Sequence, residues 1–211
     1  MTKLRSLVVA AKRFNGHELW TTLQVLGSHD IEYDVVSLED PIADEITGRK
    51  VHPTFTFKTL SASNDVRNYD GLMFISGNMK DTEAHWNFSW TLRAVEEAEA
   101  NKLTLAAICC SVPTIRKAAW NKRVSFFPLV RARVLLEQAG AILSNVSVSA
   151  DDRLVTAEHQ MATQTWAEVY SDVLQGKPPH ITLVDSGFTP GGRVMKRQSP
   201  ILTHIKEKFR V

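Results

Sequence analysis

The residues of this chain best suited to covalent chemistry are two adjacent cysteines, Cys109 and Cys110. Residues 103–108 read as a buried strand and residues 111–120 as a helix, so Cys109 stands at the turn between them. In open parallel sheets, ligands bind at the carboxyl ends of the strands, which is where Cys109 stands. A helix N-terminus favours the thiolate, and its free amides can bind an oxyanion. The alternative interpretation of Cys109 is a buried structural cysteine.

The elements that must position this cysteine alternate between apolar strands and amphipathic helices, which predicts an α/β fold with helices on both faces of a parallel sheet. Strands are expected at residues 7–11, 33–38, 71–75, 103–108, 142–148 and 154–156. Helices are expected near residues 19–27, 86–101, 111–120, 131–138, 163–174 and 200–209. Residues 51–60 alternate apolar and polar types, which indicates a hairpin or an antiparallel edge.

Length and composition favour one globular domain over residues 1–211, because 44% of the residues are hydrophobic and 23% are charged. The net charge of +2 is too small to predict binding to nucleic acid or to an anionic membrane. The first apolar run, residues 7–11, is too short for a signal peptide or a membrane span. Adjacent cysteines rarely bridge because the geometry is strained, so two reduced thiols and a cytoplasmic location are expected.

Five segments carry a resemblance to a known family. They are Glu18-Leu19, Tyr69-Asp70-Gly71-Leu72-Met73-Phe74-Ile75-Ser76-Gly77-Asn78, Ala106-Ala107-Ile108-Cys109-Cys110-Ser111, Leu135-Leu136-Glu137-Gln138-Ala139-Gly140-Ala141 and Asp152-Arg153-Leu154-Val155-Thr156-Ala157. In the same order they resemble the Glu-Leu, Tyr-Asp-strand-Pro-Gly-Gly, Ala-Ile-Cys-X-Gly/Ser, Glu-X-Ala-Gly-Ala and Asp-Gly-X-Leu-Ile-Thr-Ser segments of the DJ-1/PfpI superfamily of glutamine amidotransferase-like proteins. The resemblance covers about residues 4–175 and leaves residues 176–211 as a C-terminal extension without an assigned role.

The resemblance implies a flavodoxin-like parallel sheet sandwiched by helices, with a small antiparallel hairpin. It also implies that Cys109 is the nucleophile and that the Glu18 carboxyl group hydrogen-bonds its sulfur. The backbone amides of Gly77, Asn78 and Cys110 would then form the oxyanion hole. A carboxyl group crowded beside a thiolate should have a raised pKa, so Glu18 is expected to stay protonated while Cys109 is ionised.

The chain departs from the family at both usual histidine positions, which here hold Cys110 and Phe127. Three other histidines are candidates for an auxiliary role, although each also reads as an exposed loop residue: His17, His85 and His159. Trp86, Trp90 and Phe127 are candidates to line the substrate pocket, with core packing as the alternative. No His or Cys spacing typical of a metal site is present, so neither metal nor cofactor is expected.

These residues predict a cysteine-dependent enzyme whose thiolate adds to a small electrophilic carbon. The implied reactions are those of a hydratase, lyase or hydrolase on a small carbonyl, isocyanide or amide-like substrate. The alternatives are a redox sensor or chaperone-like protein with an oxidisable Cys109, and a degenerate amidotransferase-like biosynthetic protein. A homodimer is expected from the resemblance and from large side chains that a monomer would leave exposed, namely Trp20, Trp86, Phe88, Trp90, Phe126 and Phe127.

Overall fold

The structure, a computed structural model, describes residues 3–60 and 65–178. Its strands are β1 (Arg5–Ala10), β2 (Arg13–Phe14), β3 (Glu32–Ser37), β4 (Ile42–Asp44), β5 (Lys50–Val51), β6 (Phe55–Thr56), β7 (Gly71–Ile75), β8 (Thr104–Ile108), β9 (Arg123–Val124), β10 (Ile142–Leu143), β11 (Val148–Asp151) and β12 (Leu154–Ala157). Its α-helices are α1 (Gly16–Ser28), α2 (Met79–Trp86), α3 (Ser89–Ala100), α4 (Val130–Gln138) and α5 (Thr163–Leu174). Within these ranges no helix is long and apolar enough to cross a membrane.

The central sheet has seven strands in the order β11-β12-β8-β7-β1-β3-β6. Every neighbouring pair is parallel except β11 with β12. Its five main strands, β3-β1-β7-β8-β12, follow the flavodoxin-like order 2-1-3-4-5. All residues of β7 and β8 are buried, which explains why these strands read as continuous apolar runs in the sequence. The predicted α/β class and parallel sheet are confirmed.

Helices cover both faces of this sheet and enclose two cores. Leu19 and Leu26 of α1 pack with Trp166 and Tyr170 of α5 on one face. The other face packs against α2, α3, α4 and the helical segment Cys109–Ala119. The sheet therefore lies between two cores, as expected for a doubly wound domain.

Several sequence expectations differ from the structure in detail. The expected hairpin at residues 51–60 is divided, because β5 pairs antiparallel with β4 while β6 extends the central sheet in parallel with β3. The expected helix at residues 86–101 is two helices, since α2 ends at Trp86 and α3 begins at Ser89. The expected strand at residues 142–148 is also split, with β10 paired to β9 in a separate two-stranded sheet. The helix expected near residues 200–209 lies outside the described residues.

Strand register brings the candidate site residues together at the carboxyl ends of the strands. Ala10 of β1 is level with Ile75 of β7, and Ala157 of β12 is level with Ile108 of β8. The carboxyl ends of these four strands therefore meet. The segments that follow them carry Glu18, Ser76, Cys109 and His159.

Candidate active site

Cys109 stands at a strained turn that other side chains hold in place. Its φ is 58°, in the left-handed region that residues other than glycine rarely adopt. The Ser111 hydroxyl accepts the Ile108 N–H at 3.1 Å and lies 2.8 Å from the Phe74 carbonyl oxygen. The Trp86 indole N–H donates to the Cys110 carbonyl at 2.8 Å. The turn leaves Cys109 partly exposed and Cys110 buried.

Glu18 is fully buried beside this cysteine. It lies in the first turn of α1, where the Asn15 side chain caps the helix by accepting the Glu18 N–H at 3.1 Å. Burial, and then the charge of Cys109, raise the pKa of Glu18 well above its usual range, although hydrogen bonds from Ser76 oppose this shift. The direction predicted for the Glu18 pKa is therefore confirmed.

Ser76 is a site residue that the sequence analysis missed. Its backbone N–H donates to Glu18 Oε2 at 2.8 Å, and its hydroxyl lies 2.8 Å from both carboxyl oxygens. Ser76 occupies the position at which the Tyr-Asp-strand-Pro-Gly-Gly segment has proline, and proline has neither donor. The signal that could have found it was this departure from the family pattern.

The thiol of Cys109 lies against a second thiol. The two sulfurs, Cys109 Sγ and Cys110 Sγ, are 3.6 Å apart. This contact and burial raise the pKa of Cys109 well above its usual range, against hydrogen bonds from Ser76 and from the Cys110 amide that lower it. This direction is opposite to the expected resting thiolate and favours the thiol form of Cys109. The cause is local, because the residue after the nucleophile supplies a thiol instead of an imidazole.

Two of the three amides expected in the oxyanion hole are already engaged. The Gly77 N–H donates to Thr82 Oγ1 at 3.0 Å, and the Asn78 N–H donates to the Arg13 carbonyl at 2.7 Å. A Cβ atom on Gly77 would lie 2.0 Å from the Arg13 carbonyl oxygen, so β2 packs directly on this segment. The role predicted for Gly77 and Asn78 would require both amides to give up these partners, and it stays a prediction. The Cys110 amide, which hydrogen-bonds the Cys109 sulfur, remains a candidate donor.

The three candidate histidines have different environments. His17 is exposed on α1. His85 lies on α2 and not in a loop, with its ring centroid 5.9 Å from that of Phe57, and burial lowers its pKa to about 4. His159 follows β12, and its Nδ1 accepts the Met161 N–H at 2.9 Å. In the described residues no hydrogen bond joins any of them to Cys109 or Glu18, and His159 alone follows a strand that ends level with β8.

The predicted pocket aromatics do not form one pocket around the cysteine. Trp86 is buried and binds the turn, as described above. Trp90 stacks on Phe57 with 4.3 Å between ring centroids. It lines a cavity of about 160 Å³ with Leu60, Asp65, Val66, Arg93, Ala94 and Glu97, which lacks both Cys109 and Glu18. The structure therefore does not support a substrate-binding role for Trp90. Phe127 is half-buried, and its place beside a substrate stays a prediction.

Nothing in the described ranges resembles a metal centre, since they contain no group of three or more His, Cys, Asp or Glu side chains placed to hold an ion.

Known proteins share this arrangement of elements. The model of the DJ-1/PfpI family matches residues 5–172. An uncharacterized protein of Methanocaldococcus jannaschii is 26% identical over 154 residues, which are 72% of this chain and 73% of that protein.

Two solved structures have the same fold. A ThiJ/PfpI domain protein from Brachyspira murdochii is similar with a TM-score of 0.74 at 16% identity, over 84% of this chain and 100% of that one. DJ-1beta of Drosophila melanogaster is similar with a TM-score of 0.70 at 18% identity, over 83% and 92% of the two chains.

Proposed function

Because this chain belongs to the DJ-1/PfpI family, we propose that it is an enzyme in which the sulfur of Cys109 adds to a small electrophilic carbon. The observation that carries the proposal is the fully buried Glu18 carboxyl group, whose pKa is raised by burial and by the charge of Cys109. Strongly perturbed acids beside a nucleophile are typical of catalytic sites. Glu18 is accordingly the proton acceptor and donor for the sulfur.

The proposed reaction begins from the neutral thiol of Cys109 and the ionised form of Glu18, which its raised pKa makes strongly basic. As the S–C bond forms, the S–H bond of Cys109 breaks and its proton moves to Glu18. Negative charge develops on the oxygen of a carbonyl substrate, where the Cys110 amide is the available backbone donor, or on the attacked carbon of an isocyanide. Glu18 then returns the proton to the oxygen of a carbonyl, which gives a hemithioacetal, or to the attacked carbon of an isocyanide, which gives a thioimidate. In this reaction Glu18 takes and returns the proton of the Cys109 thiol, whereas the sequence predicted a stable thiolate.

The proposed substrate class depends on whether a histidine could serve as a general acid at Cys109. An amine leaving group needs a strong general acid, and no described hydrogen bond brings a histidine to Cys109. Peptide hydrolysis is therefore disfavoured, and a hydratase or lyase reaction on a small carbonyl or isocyanide is the first choice, with an amide-like substrate as the second. We propose that the protein works without a cofactor, as a homodimer in the cytoplasm.

One observation favours a second function. Two thiols in contact at a partly exposed turn suit an oxidation sensor as well as an enzyme. A sensor needs only access for peroxide, whereas an enzyme must turn over an organic substrate. The two functions are therefore separated by turnover.

The experiment is a turnover screen of the wild type against small aldehydes, ketones, isocyanides and amides. The variant Cys109→Ser should lose turnover, whereas the matched variant Cys110→Ser, one residue away, should retain most of it. Equal turnover by the wild type and Cys109→Ser would contradict the proposal, because the sulfur would then take no part in the reaction.

A further inference from the structure

Cys110 is a buried nucleophilic group that the proposed enzymatic chemistry does not use. Only 5% of its surface is exposed, whereas the neighbouring Cys109 is partly exposed. The left-handed backbone at Cys109 breaks the alternation of a strand, so the two side chains approach each other and their sulfurs lie 3.6 Å apart. The bond from the Trp86 indole to the Cys110 carbonyl, 2.8 Å long, holds this arrangement.

We propose that Cys109 and Cys110 form a site of reversible oxidation by hydroperoxides, in which Cys110 is the resolving thiol. Nothing in this proposal requires Cys109 to turn over an organic substrate. It requires only that the more exposed sulfur reacts first and that the buried sulfur then reacts with it.

Two steps balance the reaction. In the first, the Cys109 sulfur attacks one peroxide oxygen, an S–O bond forms, the O–O bond breaks, and the other oxygen leaves with the thiol proton as water, or as an alcohol from an organic hydroperoxide. This gives a sulfenic acid. In the second, the Cys110 sulfur attacks the Cys109 sulfur, an S–S bond forms, the S–O bond breaks, and the hydroxyl leaves as water with the Cys110 proton. Two electrons pass from the thiol pair to one hydroperoxide.

Contact between the sulfurs favours the second step over further oxidation. Attack within one turn of chain competes well with a second peroxide molecule that must arrive from solution. The sulfurs must close from 3.6 Å to a bonding distance of about 2.05 Å. Consecutive Cα atoms are about 3.8 Å apart, below the range of about 4.4–6.8 Å usual for disulfides, so the product is strained. Strained disulfides are readily reduced, which makes the oxidation reversible.

The test uses the reduced full-length protein, hydrogen peroxide at several molecules per chain, and N-ethylmaleimide to trap the remaining thiols. Trypsin then releases a peptide with both cysteines, since Lys102 precedes them and Arg116 follows them. In the wild type this peptide should lose two hydrogen atoms and bind no maleimide, and dithiothreitol should restore both thiols. In Cys110→Ser the Cys109 sulfur should gain two oxygens instead, with on the order of tenfold more sulfinic acid than in the wild type.

Cys109→Ser is the matched control and should leave Cys110 as a free thiol, because Cys110 is buried. Cys110→Ala serves as a second variant if the serine variant does not fold. Equal sulfinic acid in the wild type and the Cys110 variants would overturn the proposal. A disulfide found only between chains, or oxidation of Cys110 in Cys109→Ser at the wild-type rate, would overturn it as well.

Discussion

At the scale of single residues, Ser76 supplies every hydrogen bond recorded for the Glu18 carboxyl oxygens within residues 3–60 and 65–178. Both its N–H and its hydroxyl are donors to a group that burial would otherwise keep neutral. Donors of this kind stabilise a carboxylate more than a carboxylic acid. Ser76 therefore lowers the pKa of Glu18 and opposes the larger effect of burial.

We predict that Ser76→Ala destabilises the protein more at high pH than at low pH. The folded-state pKa of Glu18 is raised, so its contribution to stability is present below the unfolded value of 4.5 and is lost as pH rises through the folded value. Removal of the hydroxyl raises that folded value further. The loss of unfolding free energy should reach about 1–3 kcal/mol where Glu18 is ionised.

Urea unfolding of the wild type and Ser76→Ala across this pH range checks the prediction. Ser171→Ala is the matched control, because Ser171 is equally buried and its hydroxyl donates to the Ala167 carbonyl at 2.8 Å inside α5. Its destabilisation should not depend on pH. A constant difference between Ser76→Ala and the wild type at all pH values would show that Ser76 does not act on the charge of Glu18.

At the scale of elements, α2 connects the turn at Cys109 to a buried histidine. Trp86 holds the Cys110 carbonyl, and the preceding residue, His85, is 1% exposed with no hydrogen-bond partner for its Nε2 atom in the described structure. A neutral imidazole is tolerated in such a place, but a charged one is not.

We predict that His85 makes the protein sensitive to acid. Burial lowers its pKa from 6.5 to about 4, so its contribution to stability is present above pH 6.5 and is lost as pH falls towards about 4. The wild type should lose on the order of 3 kcal/mol of unfolding free energy over this interval relative to His85→Phe. Denaturant unfolding at several acidic pH values measures the difference, with the exposed His17→Gln as control. Parallel losses in the wild type and His85→Phe would exclude His85 as the cause.

Among the elements, the long strands could be predicted from the sequence and the shortest strands could not. Long strands such as β7 and β8 were predictable because a strand buried on both faces is apolar throughout. The two- and three-residue strands β2, β4 and β9 carry no period, so they were missed. The β2 strand nevertheless affects the site. Its Arg13 carbonyl accepts a hydrogen bond from the Asn78 amide, which was expected in the oxyanion hole.

The sequence likewise predicted some of the site residues, but not the contacts between them. Cys109 was a candidate from its position after a buried strand, the family resemblance added Glu18, and the rise in the Glu18 pKa was expected from its place beside the sulfur. The bond between Ser76 and Glu18 spans 58 positions of the chain, and no local pattern predicts a contact of that kind. The contact between the two sulfurs depends on the left-handed backbone at Cys109, which its residue type does not suggest.

At the scale of the whole molecule, the apolar residues that a homodimer could cover differ from those expected from the sequence. Two of the aromatic side chains expected to need a partner, Trp86 and Phe126, are buried in the single chain. Other apolar residues are exposed instead, among them Ile46 at 76% and Met161 at 77%. Both lie near the start of α1, because the Asp44 carboxylate packs on Gly16 and the Gln160 side chain accepts a hydrogen bond from Asn15.

We predict a homodimer that pairs through this region, in line with the homodimer that the family resemblance implied. Sedimentation equilibrium at micromolar concentration should give about twice the chain mass of 23.6 kDa. Met161→Glu should weaken the dimer, because a charge would be buried at the interface. Val130→Glu, at an 80% exposed position on α4, should leave it intact. A wild-type monomer, or a dimer broken only by Val130→Glu, would contradict the prediction.

The central claim is that Cys109 is the reactive thiol of this fold, and limited alkylation tests it most directly. The reduced protein is treated with less than one equivalent of iodoacetamide, and the sites of labelling are read by fragmentation of the peptide that contains both cysteines. Cys109 should carry most of the label, because it is partly exposed and lies beside Glu18, whereas Cys110 is buried. Preferential labelling of Cys110 would contradict the account of the site.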